Sequence, residues 1–383
     1  MRTWTEIDID ALKYNFNNIK GILKPHTKIM SVVKADAYGH GYRECCRALL
    51  EAGTDAFAVA TIEEAAQIRK SGFDTPVLIL GAVSTDDFPH LLELNVVPAI
   101  FNVSDAHILS QIAKKSDKTA KIHIKIDTGM SRIGFIAEDK NTIDEIVKIS
   151  KLPNIEINGI FSHFACADEK NPEYTYMQFE RFMHLIGELE KAGVKIPIKH
   201  IANSAAIMMY PEMQLDMVRP GIILYGYYPS GEVDKTRLSV KPVMTLKSRV
   251  AHIKELDAGV GVSYGKEYIT DKRTKLATIP IGYADGYIRA LSKSAKMEAG
   301  DGLASVVGRI CMDQCMIDVT NVNNIDIGDE VTVFGSGKIT ADDVAKWLGT
   351  INYEVLCLVA KRVPRIYKEG GKTLKKADYL EEV

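Results

Sequence analysis

Hydrophobic and polar positions along the chain fall into a repeating order. Residues 3–9, Thr-Trp-Thr-Glu-Ile-Asp-Ile, alternate with period two and predict a strand. Asp10 stands where it can cap a helix over residues 11–23. Apolar strand-type runs then recur near 29–34, 56–60, 77–81, 96–101, 121–126, 156–162, 198–202 and 221–225. Helical stretches lie between most of them, among them Glu63–Lys70, Ala106–Lys114, Ile143–Lys151 and Tyr174–Ala192. Eight strands separated by helices over about 230 residues is the count of a (β/α)8 barrel. A doubly wound open sheet is the alternative, but it wants a glycine-rich phosphate loop after its first strand. This chain has Lys34 there.

The pattern changes after Gly226. Residues 227–234 are rich in Pro, Gly, Ser and Tyr and read as a boundary. Beyond them come long β-type runs, Met244–Leu256, Lys275–Ile281, Ala304–Val319 and Glu330–Phe334, separated by turns such as Asp257-Ala258-Gly259. They predict a second, mainly β domain. One helix is expected over Ala341–Leu348, and the pattern leaves the form of Val355–Ile366 open.

Composition narrows the function class. The 383 residues suit about two domains, and 46% apolar with 26% charged content is that of a soluble globular protein. Net charge is −2 with no basic stripe, which argues against nucleic-acid or membrane-surface partners. No apolar run reaches membrane-span length, and the opening Met1-Arg2-Thr3-Trp4 enters the alternation directly. No secretory leader and a cytoplasmic location are therefore expected. The six cysteines form no C-x-x-C pair and no zinc-like spacing with histidine, so free thiols and no metal are expected.

Polar residues gather where the predicted strands end. Lys34 ends the first. Lys125 to Arg132 ends the fifth, Ser162-His163 the sixth, Asn203-Ser204 the seventh, and Arg219-Pro220-Gly221 lies at the eighth. Barrel chemistry sits at that end. A lysine there is desolvated, which favours the neutral amine a Schiff-base nucleophile needs. A lone strand-end lysine more often snorkels, so the flanking residues decide. The string Ser31-Val-Val-Lys34-Ala-Asp-Ala-Tyr38-Gly-His-Gly41 resembles the pyridoxal-phosphate attachment motif of alanine racemases, and the resemblance continues along almost the whole chain.

That resemblance implies a fold: a pyridoxal 5'-phosphate-binding TIM-like barrel over 10–230, and a mainly β domain from 1–9 plus 235–383 that supplies a second base. It also implies site roles. Lys34 would hold the cofactor through a Schiff base and, once freed, act as base on one face. Tyr264, in Gly261-Val262-Ser263-Tyr264-Gly265, would be the opposite base, lent by the partner of a homodimer. His163 and Arg219 are candidates for tuning it; taken alone, Tyr264 is an ordinary rim aromatic. Arg219 matches the arginine facing the pyridine nitrogen, where decarboxylases and transaminases usually place a carboxylate. Tyr38, Asn203, Ser204, Tyr353 and the amides near Gly221 and Ile222 would hold the phosphate; Ser204 also suits a helix N-cap. Arg132 and the backbone at Met312 would meet the substrate carboxylate. Ser131 stands where many relatives have glycine. Lys125 matches a lysine that is carbamylated in some relatives. Tyr283, Asp168, Arg289 and Ile351 resemble an entryway lining.

The function so implied is racemisation of alanine by two bases, supplying D-alanine for peptidoglycan. A racemase of broader specificity, on serine or lysine, is the nearest rival. A decarboxylase of the same architecture would want a carboxylate at Arg219, and a non-catalytic pyridoxal-phosphate carrier would lack the second domain.

Overall fold

A computed structural model of the chain describes residues 1–378; the last five, which the sequence reading assigns to the β domain, lie outside the described residues. The chain opens with β1 (Thr3–Asp8) and α1 (Ile9–Gly21). The cap of α1 is Asp8, whose carboxylate accepts from the Ala11 N–H at 2.8 Å. Asp10 instead accepts from the Gly370 N–H at 2.6 Å. The helix thus starts two residues earlier than its pattern suggested, because β1 ends sooner.

The barrel follows: β2 (Lys28–Val32), α2 (Tyr42–Ala52), β3 (Ala56–Val59), α3 (Ile62–Lys70), β4 (Val77–Ile79), α4 (Phe88–Leu94), β5 (Val97–Ile100), α5 (Val103–Lys115), β6 (Ala120–Asp127), α6 (Thr142–Ser150), β7 (Ile155–Phe161), α7 (Glu173–Lys191), β8 (Ile198–His200), α8 (Ser204–Met209) and β9 (Met217–Val218). Strands β2 to β8 pair in parallel in sequence order, and β9 pairs with β2. At its two ends β9 also reaches β8, through Asp216 N–H to the Lys199 carbonyl and Arg219 N–H to the Ala202 carbonyl, which completes the ring. The eighth strand is therefore 217–218, not the apolar run at 221–225. Pro220 ends the strand, since it has no N–H for a ladder. The apolar residues Ile222–Tyr225 are instead buried as a single 3-10 turn.

The β domain comprises β10 (Met244–Arg249), β11 (His252–Leu256), β12 (Thr274–Ile279), β13 (Lys296–Ala299), β14 (Gly302–Val307), β15 (Cys315–Asp318), β16 (Glu330–Phe334), β17 (Arg365–Glu369) and β18 (Lys372–Ala377), with α9 (Ala341–Leu348) and α10 (Asn352–Leu358) before β17. One ten-stranded sheet runs β11-β12-β15-β14-β13-β16-β10-β1-β17-β18. β1 lies inside it, antiparallel to β10 and parallel to β17, so the first residues of the chain are stitched between segments some 240 and 360 positions away. The run Ala304–Val319 divides into β14 and β15 around a loop, 308–314, that carries Met312. The segment 355–366, whose form the pattern left open, is the end of α10, a loop and the start of β17.

A buried apolar core runs through both parts, from Ile7 and Phe16 through Phe57 and Ile160 to Val331 and Leu356. Among the described residues no helix is long and apolar enough to cross a membrane, and no cluster of three metal-binding side chains occurs.

Candidate active site

Directly after β2 the backbone takes an unusual course. Lys34–Tyr38 is a helical turn, but Ala35, Asp36 and Ala37 have φ of 52–54° and ψ of 47–51°, and Tyr38 has φ of 53°. The turn is left-handed, which costs about 1–2 kcal/mol for each residue with a Cβ. Its surroundings hold it there. The Glu64 carboxylate accepts from the Ala35 N–H at 2.6 Å, and Asp36 accepts from the Tyr42 N–H at 2.8 Å. Arg365, on β17, donates to the Gly39 carbonyl at 3.0 and 3.2 Å, and the Tyr367 hydroxyl donates to the His40 carbonyl at 3.2 Å. A Cβ on Gly39 would sit 2.4 Å from the Leu356 carbonyl of α10. The β domain thus clamps the loop that presents Lys34.

Around this loop the strand ends bring their side chains together. Burial lowers the Lys34 amine, and Arg132 lowers it further. Lys34, Lys125, Arg132 and Arg219 all act electrostatically on His163. Tyr38 packs 4.8 Å from Tyr225 and 6.1 Å from Tyr353, centroid to centroid, so α10 adds a tyrosine to the barrel's rim. The Ser204 hydroxyl accepts from the Gly221 N–H at 2.9 Å, while Asn203 is the residue that caps α8. A Cβ on Gly221 would lie 2.7 Å from the Tyr38 hydroxyl oxygen, so this glycine keeps a space that any side chain would fill.

Arg219 is 3% exposed, yet among the described residues no carboxylate hydrogen-bonds or pairs with it. It donates to the Ser162 carbonyl at 2.6 Å, the Ile201 carbonyl at 3.1 Å, His200 Nδ1 at 2.7 Å and His163 Nδ1 at 3.3 Å. An arginine only donates, so both Nδ1 atoms carry no hydrogen and both rings hold theirs on Nε2. His200 Nε2 then donates to His123 Nδ1 at 2.9 Å, and His123 Nε2 faces Asn158 Oδ1 at 3.4 Å. Donors run one way from Arg219 down the barrel axis. Burial, with Arg219 beside them, holds His163 and His200 well below the usual imidazole range, and brings His123 to about 4. Burial and Arg132 lower Arg219 to about 9. Lys125, 3% exposed, donates to the Ile126 carbonyl at 2.6 Å and lies 5.5 Å from the Phe161 ring centre. Burial, then Arg219, brings its amine to about 7.

Arg132 leaves the barrel on a loop folded around Asp127, whose Oδ1 accepts from the N–H groups of Gly129, Met130 and Ser131 at 2.9–3.0 Å. Ser131 has φ of 55°, the region glycine enters without strain, which is the physical reason for a glycine at that position.

Two of the expected residues stand elsewhere. Tyr264 is 67% exposed at the tip of the hairpin formed by Gly261–Val262 and Tyr268–Ile269, and Met312 is 53% exposed on loop 308–314. Among the described residues neither hydrogen-bonds with the Lys34 group. Their loops meet: Ser263 donates to the Arg309 carbonyl at 2.6 Å, and Ser263, Tyr264, Cys311 and Gln314 line one groove. The Met312 loop rests on a buried carboxylate. Asp285 accepts from Arg2 at 2.6 and 3.0 Å, from Arg362 at 2.8 Å and from the Gly282 N–H at 3.0 Å, and Arg362 continues to Asp313 at 2.7 Å. Burial raises the Asp285 carboxyl, but Arg2, Arg362 and the Gly282 amide outweigh it and hold it low. Asp285→Asn is expected to cost about 3 kcal/mol, because two arginines lose their buried counter-charge and one accepting oxygen becomes an N–H donor facing other donors. Its folded pKa lies below the unfolded value of about 4. The stabilisation is therefore complete above that pH and is lost as pH falls through the lower folded value. Urea melts of the parent and variant from neutral to acid pH should converge at the acid end.

Sequence reasoning did not single out Glu64, His200, His123, Tyr225 or Cys357. The two histidines sit inside strand runs and read as core. Glu64 reads as an ordinary first-turn acid, and Cys357 as one free thiol among six.

The fold and this site define a (β/α)8-barrel enzyme with an appended β domain and a cation-rich pocket at the strand ends. Residues 7–229 match the family model described as alanine racemase, N-terminal domain, and residues 243–367 that of the alanine racemase C-terminal domain. The chain belongs to the alanine racemase family, and it is an isomerase. The alanine racemase of Clostridium tetani is 49% identical to it over 381 residues, 98% of each chain. A solved alanine racemase of Clostridium difficile 630 superposes with a TM-score of 0.97 at 45% identity, covering 99% of both chains. The crystal structure of alanine racemase from Bacillus anthracis with bound L-Ala-P gives 0.94 at 35% identity, covering 100% of this chain and 99% of that one.

Proposed function

We propose that the protein interconverts L- and D-alanine with two bases, Lys34 and Tyr264, the second lent across a homodimer. The pocket suits pyridoxal 5'-phosphate. Four cationic side chains act on His163 there, Arg219 donates to neutral acceptors, and Gly221 leaves room beside the Tyr38 hydroxyl and Ser204. Such a site wants an anion with a ring-nitrogen acceptor. Tyr38, Tyr353, Asn203, Ser204 and the amides of Gly221 and Ile222 would hold the phosphate, Lys34 the aldehyde carbon, and Arg219 the ring nitrogen. When bound, the group supplies the electron sink that makes an α-proton removable.

The chain's own residues do the rest. The lowered Lys34 amine takes or returns a proton at Nζ on one face. Tyr264 Oη does so on the other, with His163 Nε2–H as its candidate hydrogen-bonding partner in the assembled site. Arg132 and the Met312 amide hold the substrate carboxylate. Lys125, buried with its amine near 7, is suited to carbamylation, which would turn it into an anionic partner for Arg132.

The observation that carries this reading is the Arg219 cluster. An arginine still protonated near neutral pH donates a hydrogen bond to a ring nitrogen but keeps its proton. The sink is then weakened, and proton return is favoured over decarboxylation or transamination. A cytoplasmic enzyme that supplies D-alanine for peptidoglycan is the role consistent with the family.

The test incubates holoprotein with L-alanine in deuterated water, with serine and lysine in parallel. D-alanine carrying α-deuterium is expected, with much less product from the other two. Carbon dioxide release, or no exchange with cofactor bound, would overturn the proposal.

A further inference from the structure

Thr61-Ile62-Glu63-Glu64 has the spacing of a capping box, in which the glutamate normally returns to the N–H of the capping residue. Half of that arrangement is present, since Thr61 Oγ1 accepts from the Glu64 N–H at 3.4 Å. The carboxylate goes elsewhere. Oε2 accepts from the Ala60 N–H at 2.7 Å, one residue beyond the expected place, and Oε1 accepts from the Ala35 N–H at 2.6 Å. It therefore ties the ends of two neighbouring barrel strands together. Ala35 is the residue immediately after Lys34 and the first of the left-handed turn.

We propose that Glu64 is a positioning residue for Lys34: its carboxylate pins the start of the left-handed turn and sets a negative charge opposite Arg132 in the field of the lysine amine. The inference rests on the reading of Lys34 as the residue that holds the cofactor. Three charged or titratable groups act on the amine besides burial. Arg132 favours its neutral form, while Glu64 and the Cys357 thiol favour the ammonium; Lys34 in turn acts on His163. Glu64 comes from α3, Arg132 from the loop after β6 and Cys357 from α10, so the amine is balanced between three elements. That balance bears on capture of the aldehyde. The neutral Nζ attacks the carbonyl carbon, a C–N bond forms, the carbonyl oxygen leaves as water, and the proton the ammonium first shed goes to solvent.

The experiment strips holoprotein with hydroxylamine and follows visible absorbance as pyridoxal phosphate is captured again across a pH series. Parent, Glu64→Gln, Glu64→Asp and Lys34→Ala are compared. Glu64→Gln removes the charge at nearly constant size, so the midpoint of its rate-against-pH curve should move to lower pH. Glu64→Asp keeps the charge but is one methylene short of spanning both amides. Its midpoint should stay, while its plateau rate should fall about tenfold for the loss of one charged hydrogen bond. An unmoved midpoint in Glu64→Gln, or a parent-like plateau in Glu64→Asp, overturns the proposal. A band that persists in Lys34→Ala would instead remove Lys34 from its role, and the inference with it; a parent band lost in that variant separates the two failures.

Discussion

Lys34→Ala should lose about 10,000-fold or more in kcat/KM for both enantiomers of alanine, because in the proposed mechanism one substitution removes the cofactor's covalent partner and one of two bases. The fold should survive. Lys34 is partly exposed, and its backbone is held by Glu64, Arg365 and Tyr367 rather than by its own side chain. Racemisation followed by circular dichroism, with a thermal melt alongside, checks both halves. Residual activity within about 100-fold of the parent would mean that another group supplies the amine. The buried Lys125, with its amine near 7, is the first place to look.

The second large effect concerns Tyr264. Its ring is two-thirds exposed at the tip of a hairpin, and the proposed function pairs it with Lys34 of a second chain. Tyr264→Phe should slow α-proton removal from L-alanine by about 100- to 10,000-fold and affect D-alanine far less, since the proposal assigns that face to Lys34. Mixing the two inactive proteins gives a sharper result. Random reassortment makes half of the dimers mixed. Each mixed dimer has one site with both substitutions and one with neither, so about a quarter of the parent activity should return. If Lys34 and Tyr264 served the same site from one chain, mixing would restore nothing.

Much of this was legible in the sequence because barrel chemistry depends on where a polar residue falls relative to a strand end, and that is a one-dimensional property. Lys34, Lys125, His163, Ser204 and Arg219 each follow or close an apolar run, and all lie at the strand ends that form one face. The eighth strand was misplaced because two buried apolar stretches flank Arg219, and only closure of the ring shows that 217–218 makes the ladder while 222–225 turns. The cap of α1 was misplaced for a related reason: Asp8 and Asp10 are equally good caps, and the choice depends on where β1 stops pairing with β10 and β17.

By itself, then, the sequence determined the succession of elements, the change from barrel to β domain, and the residue types at the strand ends, since these depend on local periodicity and composition. Only the tertiary structure decided the left-handed turn after Lys34, the one-way donor chain from Arg219 through His200 to His123, the turning of Glu64 toward Ala35, and the exposed hairpin tip that carries Tyr264. Each of these depends on groups far apart in sequence. A left-handed run of residues with side chains is unfavourable in any short peptide and persists here because Glu64 ties its start while Arg365 and Tyr367, more than 300 positions away, hold its end. A histidine's tautomer is set by the donor it meets, and that donor, Arg219, reaches His200 only once the barrel has closed.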